Sequence, residues 1–85
     1  MDEKTLRALI EAGAVKSVHI IANGSLFYIE LDTQNGSITA LTLKSRVKTW
    51  SSLDTAAKWV RSLGFGKASI QLEKWQPSQK AIKFN

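Results

Sequence analysis

The chain has 85 residues, 44% of them hydrophobic, and its 12 basic and 7 acidic side chains give a formal net charge of +5. These values are typical of one small globular domain and exclude a disordered chain. The absence of cysteine and the single histidine exclude a disulfide framework, a thiolate metal site, a cysteine nucleophile and a multi-histidine metal cage, and they argue against an enzyme.

The first predicted element is a short helix over residues 2–12. Its apolar residues recur at helical spacing, at Leu6, Leu9 and Ile10. Asp2 is placed to cap its start, and Gly13 is placed for a left-handed C-terminal cap. The segment has no apolar stretch typical of a secretory signal, and no apolar run in the chain approaches the roughly 20 residues that span a bilayer. We therefore expect a cytoplasmic protein that does not enter a membrane.

Three strands are predicted next, over residues 15–22, 25–32 and 37–49, as an antiparallel meander. Asn23-Gly24 predicts a type I′ hairpin turn, and Asn35-Gly36 predicts a second reversal. Alternation places one apolar face on each of the first two strands, with Val18, Ile20 and Ala22 on one and Phe27, Ile29 and Leu31 on the other. On the opposite face His19 would lie across from Glu30 or Tyr28.

A second helix is predicted over residues 52–63, with a hydroxyl cap at its start and Gly64 at its end. Its apolar stripe consists of Leu53, Ala56, Ala57, Val60 and Leu63. A fourth strand is predicted over residues 67–75, with Ile70 and Leu72 facing inward. Leu41 and Leu43 of the third strand are also expected in the core.

This order of elements, α-β-β-β-α-β, predicts an α+β two-layer sandwich in which both helices lie on one face of the sheet. The three-stranded meander would be joined by the fourth strand. Residues 1–75 would form the single domain, and residues 76–85 a loosely ordered tail in which the alternation of Ile82 and Phe84 could add an edge strand. A homodimer formed through an exposed sheet face or edge is an open alternative for so small a domain.

Charge is distributed unevenly along the chain. Residues 1–43 have a net charge of −2 and residues 44–85 a net charge of +7. On an extended chain Lys44, Arg46 and Lys48 would share one side with Trp50, an arrangement suited to tracking phosphates beside one stacking aromatic ring. An edge strand protected by lysines explains the same pattern without a ligand. The candidate residues for binding nucleic acid or an acidic partner are Lys44, Arg46, Lys48, Trp50, Lys58 and Arg61.

Three tryptophans are many for a short chain, and they are either core residues or part of an interface, where Trp59 and Trp75 are the candidates. His19 beside Glu30 could act in acid–base catalysis, but the sequence offers no second histidine and no cluster of acids. A hydrogen-bonded structural histidine is therefore favoured. We predict no catalytic residue, no metal site and no cofactor.

Two segments carry a resemblance to a known family. Residues 50–64, WSSLDTAAKWVRSLG, and residues 9–17, LIEAGAVKS, resemble the ParC-type partition-associated proteins of bacterial plasmids and integrating conjugative elements. The likeness extends over about residues 6–75. It implies a non-enzymatic accessory protein that modulates a ParA-type ATPase or its DNA complex. The alternative from the residues themselves is a domain that binds DNA directly, mainly by electrostatics.

Overall fold

The computed structural model describes residues 2–76, which form two helices and one four-stranded sheet. The elements in chain order are α1 (Glu3–Glu11), β1 (Val15–Gly24), β2 (Leu26–Thr33), β3 (Gly36–Thr39), α2 (Leu53–Ser62) and β4 (Ser69–Trp75). The predicted α+β class, the element order and the placement of both helices on one side of the sheet are confirmed. The predicted tail, 76–85, lies outside the described residues apart from Gln76, and so does the alternation of Ile82 and Phe84.

The sheet has the strand order β3-β2-β1-β4. The β1–β2 and β2–β3 pairs are antiparallel and form the predicted meander, whereas β4 pairs with β1 in parallel. A parallel neighbour requires the chain to cross from one end of the sheet to the other, and α2 lies within this crossover. β3 and β4 are consequently the two edge strands of the described sheet.

Both helices begin at the predicted caps. The Asp2 carboxylate accepts a hydrogen bond of 3.0 Å from the Thr5 backbone N–H, and the Ser52 hydroxyl accepts one of 3.2 Å from the Thr55 N–H. Each cap satisfies a donor that the first helical turn leaves without a partner. Gly13 follows α1 at a φ of 76°, a left-handed conformation that glycine adopts without steric cost.

The turn between β1 and β2 differs from the prediction by one residue. Asn23 pairs with Leu26, so Gly24 and Ser25 are the central residues of the turn. Gly24 has a φ of 67° and Ser25 does not have a positive φ, so the turn fits type II′. The predicted type I′ turn, which needs a positive φ at both central residues, is wrong. The resulting register pairs His19 with Glu30, which is one of the two predicted alternatives.

The core lies between the helices and one face of β1 and β2, as the alternation predicted. Its buried residues are Leu6, Val18, Ile20, Ala22, Phe27, Ile29, Leu31, Ala40, Ala56, Val60 and Leu63. The prediction is wrong for four residues that are exposed: Leu43, Ala57, Ile70 and Leu72. Leu43 lies in a loop, Ala57 at the edge of the apolar stripe of α2, and the other two on the edge strand β4. Four other predicted core residues, Leu9, Ile10, Leu41 and Leu53, are half-buried.

Candidate functional site

The predicted third strand, 37–49, is wrong in its second half. Residues 41–47 form a narrow loop that is closed by a single bridge between Leu41 and Val47. Ser45 turns the chain at a φ of 62°, a left-handed conformation that serine rarely adopts. The segment contains no glycine or proline to mark a turn, and its alternation of apolar residues is that of a strand.

This loop interrupts the row of cations that was predicted on one face. The positive φ of Ser45 breaks the extended backbone between Lys44 and Arg46, so alternation no longer places Lys44 on the side of the later cations. Arg46 and Lys48 flank the bridged residue Val47, and both Lys44 and Arg46 are exposed. Among residues 2–76 no acidic side chain forms an ion pair with Lys44 or Arg46. The turn at Ser45 thus interrupts the predicted row after Lys44, and Lys48 and Trp50, at its other end, are neighbours.

Lys48 and Trp50 belong to a cluster at the helix layer. The rings of Trp50 and Trp59 lie 5.0 Å apart between centroids, and the Lys48 Nζ lies 5.5 Å from the first ring and 6.0 Å from the second. The Trp59 Nε1–H donates a hydrogen bond of 3.2 Å to Glu3. Hydrogen bonds from Arg7 and then from Trp59 hold the pKa of Glu3 below its usual value. Both indoles are half-buried and pack against the core.

The two cations predicted on α2 are exposed and have different surroundings. The Lys58 Nζ lies 3.2 Å from an Asp54 carboxylate oxygen one helical turn earlier. Arg61 forms no ion pair within the described part of the chain, and it lies beside a groove between α2 and β4. The structure thus divides the predicted binding set among the 41–47 loop, the tryptophan cluster and the outer surface of α2.

The third tryptophan belongs to an apolar strip along β4. Ile70, Leu72 and Trp75 keep 46%, 45% and 39% of their surfaces exposed, although they are large apolar residues. Ile70 pairs with the buried Ile20, and the Trp75 ring lies 6.1 Å from that of Phe27, which places the strip on the core face of the sheet. Trp75 is thus exposed, as an interface residue would be, whereas Trp59 is a packing residue.

Between α2 and the start of β4 the strip continues into a groove with a volume of about 320 Å³, here called the α2–β4 groove. Val60, Phe65 and Ile70 supply its apolar walls, and the exposed residues Arg61 and Lys67 lie at its margin. No acidic side chain lines it among the described residues. The groove exists because β4 is parallel to β1, so the sequence alone did not indicate it.

A network of polar side chains crosses the opposite, helix-free face of the sheet. His19 lies at its centre, with Nδ1 hydrogen-bonded to the Ser69 hydroxyl and Nε2 at 2.6 Å from the Asp32 carboxylate. Asp32 also accepts hydrogen bonds of 2.8 Å from Ser17 and 2.9 Å from Ser37. The network therefore joins all four strands. The sequence placed His19 on this face, across from Glu30 or Tyr28, and did not indicate Asp32 as its partner.

The network resembles the hydrolase triad in its order of serine, imidazole and carboxylate. The hydrogen bond from His19, followed by those from Ser17 and Ser37, lowers the pKa of Asp32 to about 2. A hydrolase also needs donors for the oxyanion and a site that excludes water, whereas Ser69 lies exposed at an open sheet edge. We therefore interpret the network as a structural link between strands.

None of the helices in residues 2–76 is long and apolar enough to cross a membrane. Within the same part of the chain no three His, Asp or Glu side chains lie close enough together to hold a metal ion.

Comparisons with family models, with curated proteins and with solved structures find no match to this chain. Function must therefore be inferred from the surfaces themselves and from the resemblance in sequence.

Proposed function

We propose that this chain is a non-enzymatic interaction module, an accessory protein that modulates a ParA-type partition ATPase or its DNA complex. The partition role follows from the resemblance of residues 9–17 and 50–64. The observation that supports an interaction module is the apolar strip of Ile70, Leu72 and Trp75 on β4. Apolar side chains grouped on an exposed surface, with an aromatic residue among them, are typical of a surface that binds protein.

The strip differs from the scattered apolar residues that every protein surface carries. Its three members follow one another along one strand, on the side of the sheet that elsewhere forms the core. Backbone hydrogen bonds to β1 already order β4 in the free protein. A partner that packs on the strip would therefore cause little loss of conformational entropy. These features support protein binding over a purely solubilising role for this half of the chain.

The test is direct binding to the partition proteins encoded on the same mobile element, the ParA-type ATPase and its DNA-binding partner, measured by biolayer interferometry. We expect wild-type protein to bind at least one of them and Leu72→Glu to weaken this binding by about tenfold or more. Leu43→Glu makes the same change at an exposed leucine in the 41–47 loop and should bind like wild type. Absence of binding by the wild-type protein to both partition proteins would refute the proposal.

Direct DNA binding is a second candidate, favoured by Lys44 and Arg46 in the 41–47 loop, which are exposed and form no ion pair within residues 2–76.

The test of direct DNA binding is fluorescence anisotropy of labelled duplex and single-stranded DNA at low and at near-physiological salt. If the loop binds phosphates, affinity falls steeply with salt. Replacing Lys44, Arg46 and Lys48 with alanine then reduces the slope of log K against log salt by about 0.9 for each phosphate that the variant no longer neutralises. Leu43→Ala is the matched control in the same loop. Binding that is absent or independent of salt would exclude this candidate.

A further inference from the structure

The α2–β4 groove indicates the chemistry of the partner. We propose that it binds an amphipathic segment of another protein whose apolar face enters the groove and whose flanking residues are acidic. This inference rests on the proposed function and specifies what the interaction module recognises.

The apolar walls of the groove define one half of this chemistry. Val60 is nearly buried and Phe65 is half-buried, and both pack against the core, so the floor of the groove is held in place. Ile70 forms the opposite wall on β4 and remains exposed. A helix with apolar residues at every third or fourth position can place them in such a groove, which is the usual mode by which a helical segment is recognised.

The charges at the margin define the other half. Arg61 and Lys67 are exposed, and neither forms an ion pair within residues 2–76. Two other cations of the helices are paired locally, Arg7 with Glu3 and Lys58 with Asp54, whereas Lys4 and Lys48 form no ion pair within the described residues. Two such cations beside an apolar groove favour acidic residues on the partner, because complementary charges at the rim of an interface speed association and reject basic competitors.

A second copy of this chain is a less suitable occupant. A twofold interface would bring the same surface of both copies together, and Arg61 and Lys67 would then approach their own equivalents. Pairing of two β4 edges is also disfavoured by a bulge. Between Ile21 and Asn23 the partner strand advances from Gln71 to Lys74, one residue more than β1 does. Bulges and lysines on edge strands are devices that prevent strand-to-strand association.

The experiment uses a phage library of random peptides of about 15 residues, which is about four helical turns. Peptides are selected on the whole chain and counter-selected on the Ala57→Glu variant, and the dissociation constants of the recovered peptides are then measured. Ala57 lines the groove and is exposed on a helix, so this variant should fold even if Ile70→Glu weakens the sheet. We expect the recovered peptides to be net acidic, with apolar residues at helical spacing.

Variants then assign the binding to the groove. Ala57→Glu and Ile70→Glu should each weaken binding of these peptides by about a hundredfold, and Arg61→Glu and Lys67→Glu by about tenfold. Leu43→Glu and Lys4→Glu are the matched controls, one apolar and one basic, since both residues are exposed and neither lines the groove, and both variants should bind like wild type.

Four outcomes would overturn the inference: recovery of no peptide, peptides without acidic bias, binding that the groove variants leave unchanged, or a dimer in sedimentation that Ile70→Glu abolishes.

The failure of the proposed function can be distinguished from the failure of the groove inference. If a partition protein binds but the groove variants do not weaken that binding, the accessory role stands and the groove inference falls. If acidic peptides bind in the groove but no partition protein binds, the groove inference stands and the partition role falls.

Discussion

β2 and β4 present apolar side chains to the same face of one sheet, but the helices cover only β2. Ile29 and Leu31 of β2 are completely buried, whereas Ile70 and Leu72 of β4 keep nearly half of their surfaces in contact with solvent. The four side chains are equally hydrophobic, so composition does not explain the difference. Position in the sheet does, because β2 lies inside it and β4 is at its edge.

The helix layer sets the limit of the core. α2 packs on β1 and β2, and α1 contributes Leu6 to the same region. The ten-residue helix α2 lies mainly over the inner strands β1 and β2 and not over the edge strand β4, so the helix layer leaves part of the sheet uncovered. The uncovered part falls on β4, which is why the apolar strip and the α2–β4 groove lie there.

The largest expected effect is the difference between β2 and β4 in how much the truncation of an isoleucine lowers the free energy of unfolding. Ile29→Ala should lower the free energy of unfolding by about 2–5 kcal/mol, because it leaves a cavity in a close-packed core. Ile70→Ala should lower it by about 1 kcal/mol or less, because the side chain is already half in water. Urea unfolding followed by tryptophan fluorescence measures both. Equal losses would show that β4 is covered in solution, by a second copy or by another part of the chain.

The buried half of this comparison could be predicted from the sequence. Residues such as Ile20 and Ile29 follow a period of two, which places them on one face whichever of the two predicted registers, Glu30 or Tyr28 opposite His19, is adopted. The exposure of the apolar residues on β4 could not be predicted. The parallel pairing of β4 with β1 joins residues about 50 positions apart in the chain, such as Ile20 and Ile70, and no local pattern encodes it.

The candidate surfaces show the same division. Trp75 was predicted as a candidate interface residue because it is a large aromatic at the end of a strand, a local feature, and it is exposed. The α2–β4 groove was missed because its walls come from α2 and β4, whose contact depends on the parallel pairing. The 41–47 loop was mistaken for a strand, since the turn at Ser45 relies on backbone strain and not on a turn residue.

A smaller effect concerns how β4 is held to the sheet. The hydrogen bond between His19 and Ser69 joins β1 and β4 on the helix-free face. Ser69→Ala should cost about 1 kcal/mol and should speed amide hydrogen exchange in β4 while leaving β2 unchanged. Ser37→Ala, at the other end of the same network, is the control and should affect only the β3 side. Faster exchange in β2 as well would mean that the edge strand and the core open as one unit.

The same network predicts a dependence of stability on acid. The pKa of Asp32 is about 2 in the folded chain, against 3.8 for a free carboxyl, so folding favours the ionised form. The stabilisation is fully present above pH 3.8 and is lost as the pH falls from 3.8 through 2, because in this range the unfolded chain binds a proton at Asp32 that the folded chain does not. Asp32→Asn should remove this part of the acid sensitivity in urea unfolding. In NMR titrations Ser37→Ala should raise the midpoint of Asp32, and a wild-type midpoint near 3.8 would contradict the geometry.

The smallest expected effect is at Leu43, the residue in which hydrophobicity and burial disagree most. Its side chain is 87% exposed in the 41–47 loop, so folding removes little of its apolar area from water. Because hydrophobic stabilisation scales with the area buried, Leu43→Ser should change the free energy of unfolding by less than about 0.5 kcal/mol. Thermal and urea unfolding of the two proteins side by side would measure this difference. A loss above about 1 kcal/mol would mean that the loop folds back onto the sheet in solution, and Leu43 would then belong with Ile29 and not with Ile70.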